Sequence, residues 1–198
     1  VRAEIGLTFA SGLRSILRQD PDIIMVGEIR DNETAELAVH AGLTGHILLS
    51  TLHTNDAFGA IPRMVDMHVE PFLIASTLNL VIAQRLARRI CDSCKEKVEI
   101  PDYLVNDVKD ELEKMPQQQI PSGVDLKQKK VFFKGKGCER CGHTGYKGRV
   151  AFSEVFDIND EVKQILSTQV NTKAMQDAFK KQEMVTLRQD GIIKALQG

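Results

Sequence analysis

One stretch, residues 17–53, constrains the fold of this 198-residue chain more than any other. It contains a run of four apolar and mostly β-branched residues, Ile23–Val26. Such a run is typical of a fully buried strand, although four residues do not exclude a helix by periodicity alone. Charged side chains follow at once, because Glu28, Arg30 and Asp31 stand directly after the run. We therefore predict a buried strand with a polar tip.

The residues after this tip predict a helix and then a second strand. A helix is expected over residues 32–41, with Asp31 or Asn32 as its N-cap and Gly42 as its stop. A second buried run, residues 47–49, is flanked by His46 and His53. Strand, polar tip, helix and strand in this order indicate an α/β fold with a parallel sheet. Such sheets gather functional side chains at the carboxyl ends of their strands.

These residues carry a family resemblance. The sequence LRQDPD at 17–22, the apolar run and GEIRD at 27–31 resemble the atypical Walker B segment of the secretion ATPase superfamily. Within it, the match is closest to the hexameric motors of type II secretion and type IV pilus assembly. TGH at 44–46 and TLHT at 51–54 resemble the histidine box of that family. The resemblance extends, less sharply, from residue 5 to the end of the chain.

The resemblance implies roles for individual residues. Glu28, His46 and His53 would be catalytic: Glu28 orients the attacking water or the Mg²⁺ shell beside the γ-phosphate of ATP, and the histidines sense that phosphate or couple subunits. Glu28 and Arg30 would contact the bound nucleotide. The residue pattern alone leaves other interpretations open. Glu28 can be a surface acid paired with Arg30, Arg30 and Asp31 can simply be a capped helix start, and the histidines, at opposite ends of one short strand, can be structural.

The phosphate-binding loop G-x-x-x-x-G-K-[ST] is absent from the sequence. Together with the resemblance, this predicts that the chain is the carboxyl-terminal part of a longer ATPase and does not hydrolyse ATP alone. A net charge of -1 argues against a nucleic-acid surface. The longest apolar stretch, residues 72–83, is shorter than the roughly 20 residues that span a bilayer, so no membrane insertion is expected, and no signal peptide is recognised at the start.

The four cysteines form two C-x-x-C pairs that predict a metal centre. Their 43-residue separation exceeds that of common zinc ribbons, but four thiolates can still converge on one ion, as Zn²⁺ favours in closed structural sites. Disulfides are the competing interpretation, and a protein that is not secreted usually keeps its thiols reduced. His143 is expected to be a bystander, and the glycines around the second pair, at positions 137, 142, 145 and 148, predict tight turns there. The predicted zinc ligands are Cys91, Cys94, Cys138 and Cys141.

The rest of the sequence predicts helices, one strand and an insert with little regular secondary structure. Helices are expected over residues 8–19, over 54–66 with an interruption at Pro62, and over 71–90, where the longest one carries arginines at its end. Between the cysteine pairs, residues 102–114 suggest a helix in an insert of nearly balanced charge. A strand over residues 149–155 and three helices complete the chain.

The sequence thus predicts the second half of a RecA-like P-loop ATPase domain (residues 1–90), a zinc subdomain with an insert (91–149) and a helical carboxyl-terminal subdomain (150–198). The resemblance implies a cytoplasmic homo-hexamer that contacts an inner-membrane platform protein and powers type IV pilus or type II secretion pseudopilus assembly. The alternative is a non-enzymatic zinc-binding adaptor.

Overall fold

The computed structural model describes residues 6–120, 132–168 and 171–197. It divides into two compact units. Unit 1 comprises Val1–Val81 and Phe156–Lys181, and unit 2 comprises Ile82–Val155 and Gln182–Gly198. The boundaries expected at residues 90 and 149 both lie inside unit 2, and the division into three parts stays a prediction.

Helices and strands alternate over residues 9–50, as the α/β prediction requires. In chain order the elements are α1 (Phe9–Leu17), β1 (Ile23–Val26), α2 (Asn32–Leu43), β2 (Ile47–Ser50), α3 (Ala60–Asp66), α4 (Pro71–Thr77), β3 (Leu80–Ile90), β4 (Lys95–Val98), α5 (Asp102–Glu113), β5 (Phe132–Gly135), β6 (Tyr146–Asp157), α6 (Asp160–Thr168), α7 (Thr172–Lys181) and α8 (Leu187–Gln197). Short 3₁₀ helices lie at Gln117–Gln119 and Glu139–Cys141. Of the three predicted carboxyl-terminal helices, α6 and α7 belong to unit 1 and α8 to unit 2.

The parallel pair β1–β2 confirms the predicted strand–helix–strand unit. Ile23 lies opposite Ile47 and the two strands stay in register over four residues. The connecting helix α2 begins after Asp31, whose carboxylate accepts a hydrogen bond of 2.8 Å from the backbone N–H of Thr34. This N-cap satisfies one of the helix's unpaired amides, which is why the helix begins at this residue.

The prediction that both strands are fully buried was wrong. In β1, Ile24 and Val26 are buried, whereas Met25 is 77% exposed. The other apolar side chains that are half or more exposed on these strands are Ile23, Ile47 and Leu49. Strands of a parallel sheet have continuous apolar runs when both faces of the sheet are buried. In this structure the described residues bury one face only, so the other apolar side chains are exposed.

The long helix predicted over residues 71–90 was also wrong. Helix α4 ends at Thr77, Leu78 has an extended ψ of 123°, and Leu80 begins the eleven-residue strand β3. Strand β3 pairs with β6, so tertiary pairing overrides the helix propensity of its alanines, leucines and arginines. None of the helices within the described ranges is long and apolar enough to cross a bilayer.

The helix predicted from residue 54 begins only at Ala60. The hydroxyl of Thr54 donates to the carbonyl of Asp56, and the Asp56 carboxylate accepts from the amide of Gly59 at 2.7 Å, so these residues form a capped turn. Pro62 consequently stands in the first turn of α3, where no amide donor is needed, and the interruption expected there does not occur.

Each unit has its own apolar core. In unit 1, α4 packs against α6, and the ring of Phe179 lies 5.8 Å from that of Phe58 and 4.9 Å from that of Phe156. In unit 2, α5 packs against α8 through a cluster of buried side chains: Val108, Leu112, Met115 and Ile193. The antiparallel pair β4–β5, which the sequence did not predict, spans the base of the insert.

Candidate functional site

The carboxyl ends of β1 and β2 are tied together beyond the strands themselves. The hydroxyl of Thr51 donates to the carbonyl of Gly27 at 2.7 Å, and the amide of Ile29 donates to the carbonyl of Thr51 at 3.0 Å. The two polar tips are therefore held side by side. Sequence reasoning missed this role of Thr51, although a hydroxyl residue directly after a strand is a usable signal.

These ties bring Glu28, Arg30 and His53 into one group, the Glu28 cluster. Carboxylate Oε2 of Glu28 lies 2.6 Å from Nε of Arg30 and 3.2 Å from Nε2 of His53. The Arg30 guanidinium lowers the pKa of Glu28, and the His53 contact acts in the same direction. Glu28 is thus held as a carboxylate that accepts hydrogen bonds. Such a group can orient a water molecule or a hydrated cation.

His46 lies outside this cluster, at the amino end of β2. Its Nδ1 is 3.0 Å from the Thr44 hydroxyl and 3.2 Å from the carbonyl of Ala41, in the turn that ends α2. The structure therefore unites Glu28, Arg30 and His53 and separates His46 from them. The catalytic and nucleotide-binding roles of all four residues stay predictions.

The four cysteines converge in unit 2 and form the tetracysteine cluster. The Sγ atoms all lie within 4.8 Å of one another. Cys91 and Cys138 are 4.0 Å apart, Cys94 and Cys141 are 3.9 Å apart, and Cys138 and Cys141 are 3.8 Å apart. Tetrahedral coordination with Zn–S bonds of about 2.3 Å places sulfurs about 3.8 Å apart. All four cysteines are free of disulfides. The spacing therefore suits one Zn²⁺ ion held by Cys91, Cys94, Cys138 and Cys141.

The thiols of the tetracysteine cluster differ in how readily they ionise. Backbone amides of Cys138 and Gly145 donate to Sγ of Cys141 at 3.3 Å, and they lower the pKa of Cys141 to about 6. Burial, helped by the neighbouring thiols, raises the pKa of Cys94 to about 11. Four thiolates this close together repel one another unless a cation lies between them, and Zn²⁺ supplies that charge.

Glycines shape the second cysteine pair. Gly145 has a φ of +77°, and a Cβ there would lie 2.5 Å from the carbonyl oxygen of Gly135. Its carbonyl accepts a hydrogen bond of 3.0 Å from the amide of Cys91, so it links the two pairs. The tight turns that the sequence predicted around this pair are confirmed by positive φ angles at Gly137, Gly142, Gly145 and Gly148.

The family described as "Type II/IV secretion system protein" has a sequence profile that matches residues 1–198. The chain belongs to this family. It is 46% identical over 202 residues to the type IV pilus assembly ATPase PilB of Thermus thermophilus, covering 100% of this chain and 21% of that protein. It is 42% identical over 198 residues to the type II secretion system protein E of Aeromonas hydrophila, covering 100% of this chain and 36% of the relative.

Solved structures agree with this membership of the secretion family. The structure of the pilus retraction motor PilT with bound ADP has a TM-score of 0.60 and 25% identity, covering 96% of this chain and 40% of that one. The α/β fold class expected from the sequence is therefore confirmed. The chain spans about a fifth to a third of the length of the two relatives above.

Proposed function

We propose that this chain is part of a hexameric ATPase motor that powers assembly of a type IV pilus or a type II secretion pseudopilus. Relatives of both kinds match it over its full length at 46% and 42% identity, so the proposal covers both machines. The motor would be cytoplasmic and peripheral to the inner membrane, where a platform protein would be its partner.

The Glu28 cluster is the single observation that carries this proposal. Phosphoryl transfer depends on positioning and charge neutralisation rather than on covalent chemistry by the protein. Glu28, ionised and flanked by Arg30 and His53, has the charge to orient the attacking water or a water of the Mg²⁺ shell. Mg²⁺ supplies charge neutralisation to the transferring phosphate of ATP. Arg30 would contact the nucleotide, and His53 and His46 would report the γ-phosphate or the neighbouring subunit.

The uncovered face of β1–β2 supports a longer parent protein. Met25 and Ile47 are more than half exposed on a sheet that lies between layers in α/β proteins. Burying such side chains stabilises a domain by about 1.5 to 3 kcal/mol each. We propose that further residues of the parent, which would include the phosphate-binding loop, cover this face and complete the nucleotide site.

Zinc is proposed as a structural cofactor in the tetracysteine cluster. The residues fit the ion because four sulfurs at tetrahedral spacing close the coordination shell and leave no position for a reacting ligand. When bound, zinc would link segments about 47 residues apart and stabilise unit 2. A closed site of this kind supplies folding free energy rather than catalysis.

Steady-state ATP hydrolysis tests the proposal. We expect no turnover by the purified 198-residue chain, whereas the longer parent hydrolyses ATP and Glu28→Gln lowers its kcat about 100-fold or more, the scale on which charge-positioning groups act. Glu33→Gln is the matched control, because Glu33 is an acid near the same strand tip that pairs with Arg14 at 2.7 Å. It should leave kcat unchanged.

Two results would contradict the ATPase proposal. Turnover by the 198-residue chain that Glu28→Gln abolishes would show that no further segment is needed. A parent that does not hydrolyse ATP, joined with binding of a protein partner by this chain unaided, would favour the zinc-binding adaptor instead.

A further inference from the structure

A cavity of about 240 Å³ beside the tetracysteine cluster is lined by a concentration of positive charge. Three cations line it, and we call them the cationic wall: Arg89, Arg140 and Lys147. Cys91, Asp92 and Ser93 line the same cavity, so the wall stands against the first cysteine pair. The Glu28 cluster makes no use of these residues, which belong to unit 2.

Most of this charge is not offset by protein carboxylates. Arg89 pairs with Asp92 at 2.9 Å. Arg140, in contrast, donates from Nη1 to the neutral hydroxyl of Ser93 at 3.0 Å. The side-chain ammonium of Lys147 makes no ion pair or hydrogen bond with the residues that the structure describes. Two of the three cations are therefore without a carboxylate partner in the part of the chain that the structure describes.

The tetracysteine cluster has the complementary charge once it holds a metal. A Zn²⁺ ion bound by four thiolates carries a net charge of about −2. A partly buried anionic centre is costly unless cations or hydrogen-bond donors lie beside it. The two unpaired cations of the wall are opposite to this charge in sign and equal to it in size.

The contact between Arg140 and Ser93 also joins the two cysteine pairs directly. Arg140 stands between Cys138 and Cys141, and Ser93 stands between Cys91 and Cys94. Their hydrogen bond thus links the middle residues of pairs that are 47 positions apart in the chain. A contact of this kind orders the ligands before the metal arrives, as outer-shell partners of metal sites do.

We propose that two cations of the wall retain zinc in this site: Arg140 and Lys147 offset the negative charge of the zinc–thiolate centre, and Arg140 also clasps the two cysteine pairs through Ser93. The inference rests on the zinc site proposed above. It assigns to these two cations the control of metal affinity, a role distinct from that of the four ligands. Neither cation coordinates the ion.

Zinc competition with a chromophoric chelator at fixed pH tests this inference on the purified chain. Outer-shell substitutions typically weaken metal affinity about 10- to 100-fold. We expect Arg140→Ala to weaken zinc binding about 10-fold, because it removes charge and clasp together, and Lys147→Ala to weaken it about 3-fold. Ser93→Ala removes the clasp and keeps the charge, so we expect it to lower zinc affinity about 3-fold at low and at high salt alike. The effect of Lys147→Ala on zinc affinity should instead shrink at high salt, because salt screens charge.

Lys134→Ala is the matched control. Lys134 is a cation of the same unit that pairs with Glu96 at 3.3 Å and does not line the cavity. Its loss should leave zinc affinity within about 2-fold of that of the wild type. The Co²⁺-loaded variants should keep the absorption bands of a tetrathiolate site, which shows that their ligand geometry is intact.

The outcomes separate the inference from the zinc site on which it rests. Zinc affinities of Arg140→Ala, Lys147→Ala and Ser93→Ala that all equal the control's would overturn the inference and leave the zinc site standing. A wild-type chain that binds no zinc would overturn the site itself, and the inference with it. If Arg140→Ala fails to fold, Lys147→Ala and Ser93→Ala still decide the question.

Discussion

The tetracysteine cluster and the Glu28 cluster differ in how much of each site this chain supplies. All four predicted zinc ligands lie within 4.8 Å of one another, and Cys91 is only 2% exposed. In the Glu28 cluster the carboxylate is 21% exposed, while the Arg30 and His53 side chains are 68% and 79% exposed. A metal site whose four ligands all lie in this chain can form by itself, whereas a phosphate site requires walls from several further segments. The comparison teaches that one chain can hold a predicted metal site that is closed and a predicted nucleotide site that is open.

Removal of a zinc ligand should have the largest effect. Structural zinc contributes on the order of 10 kcal/mol to the folding of small domains at neutral pH. We therefore expect Cys91→Ser and Cys138→Ser to lose the metal and the ordered structure of unit 2, measured by metal content and by amide hydrogen exchange. His143→Asn is the control, because His143 has a φ of +59° that asparagine tolerates. Four titratable thiols in a metal-free but stable fold would contradict the prediction.

The glycines of the second cysteine pair should come next. Gly145→Ala forces a Cβ to within 2.5 Å of the backbone of Gly135 at a positive φ, so we expect a loss of about 3 kcal/mol in the free energy of unfolding. Gly142 has a φ of +60° with no atom near its missing Cβ, so Gly142→Ala should cost only about 1 kcal/mol. Urea unfolding of the zinc-loaded chain measures both. Equal losses of unfolding free energy in Gly145→Ala and Gly142→Ala would show that the close approach of the Gly135 and Gly145 backbones does not add to the cost of a Cβ at position 145.

Adjacent residues of β1 should sharpen the contrast between a covered and an uncovered face. Ile24 is 2% exposed, so Ile24→Ala should lower the free energy of unfolding of this chain by about 3 kcal/mol. Met25 is 77% exposed, and Met25→Ala should cost less than about 0.5 kcal/mol here. In the longer parent the cost of Met25→Ala should rise to about 2 kcal/mol, since the proposal has that face covered. An unchanged cost there would contradict a second covering layer.

The smallest expected effect concerns the ionisation of Glu28. The Arg30 guanidinium lowers its pKa, so any stability that this ionised group contributes is present above the ordinary carboxyl range and is lost as the pH falls through the lowered value. We expect Arg30→Ala to raise the Glu28 midpoint toward the ordinary range, measured by NMR titration of the carboxyl carbon. Arg14→Ala, which removes the partner of Glu33 instead, should leave that midpoint in place.

The sequence predicted the parts of the fold that local chemistry determines. The Asp31 N-cap, the β1–β2 pair and the turns around the cysteines were all found where short patterns place them. The meeting of Glu28 with His53 follows from the rule that strand ends gather functional residues, but the hydrogen bond from Thr51 that aligns them was not foreseen. The pattern likewise gave no sign that Arg140 would reach Ser93 across 47 positions.

Errors arose where distant pairing outweighs local preference. Residues 80–90 contain good helix formers, yet they form β3 because β6, more than fifty positions later, supplies a strand to pair with. The wrong prediction that β1 and β2 are fully buried has the same cause. An apolar run indicates that both faces of a strand are buried in the complete fold, but it does not show which segment buries them. Strand pairing and burial depend on residues that are distant in the sequence, so a short window of the sequence does not predict them.

The base of the insert has a consequence for how this family can vary. Strands β4 and β5 pair from Lys95 opposite Gly135, directly beside the cysteine pairs, so the segment between them is closed at its root. The entropy of closing a flexible loop grows only logarithmically with its length, and doubling the length costs about 0.6 kcal/mol. The length of the insert can therefore drift, or a new surface can evolve on it, at little expense to the tetracysteine cluster, provided that α5 keeps its packing against α8.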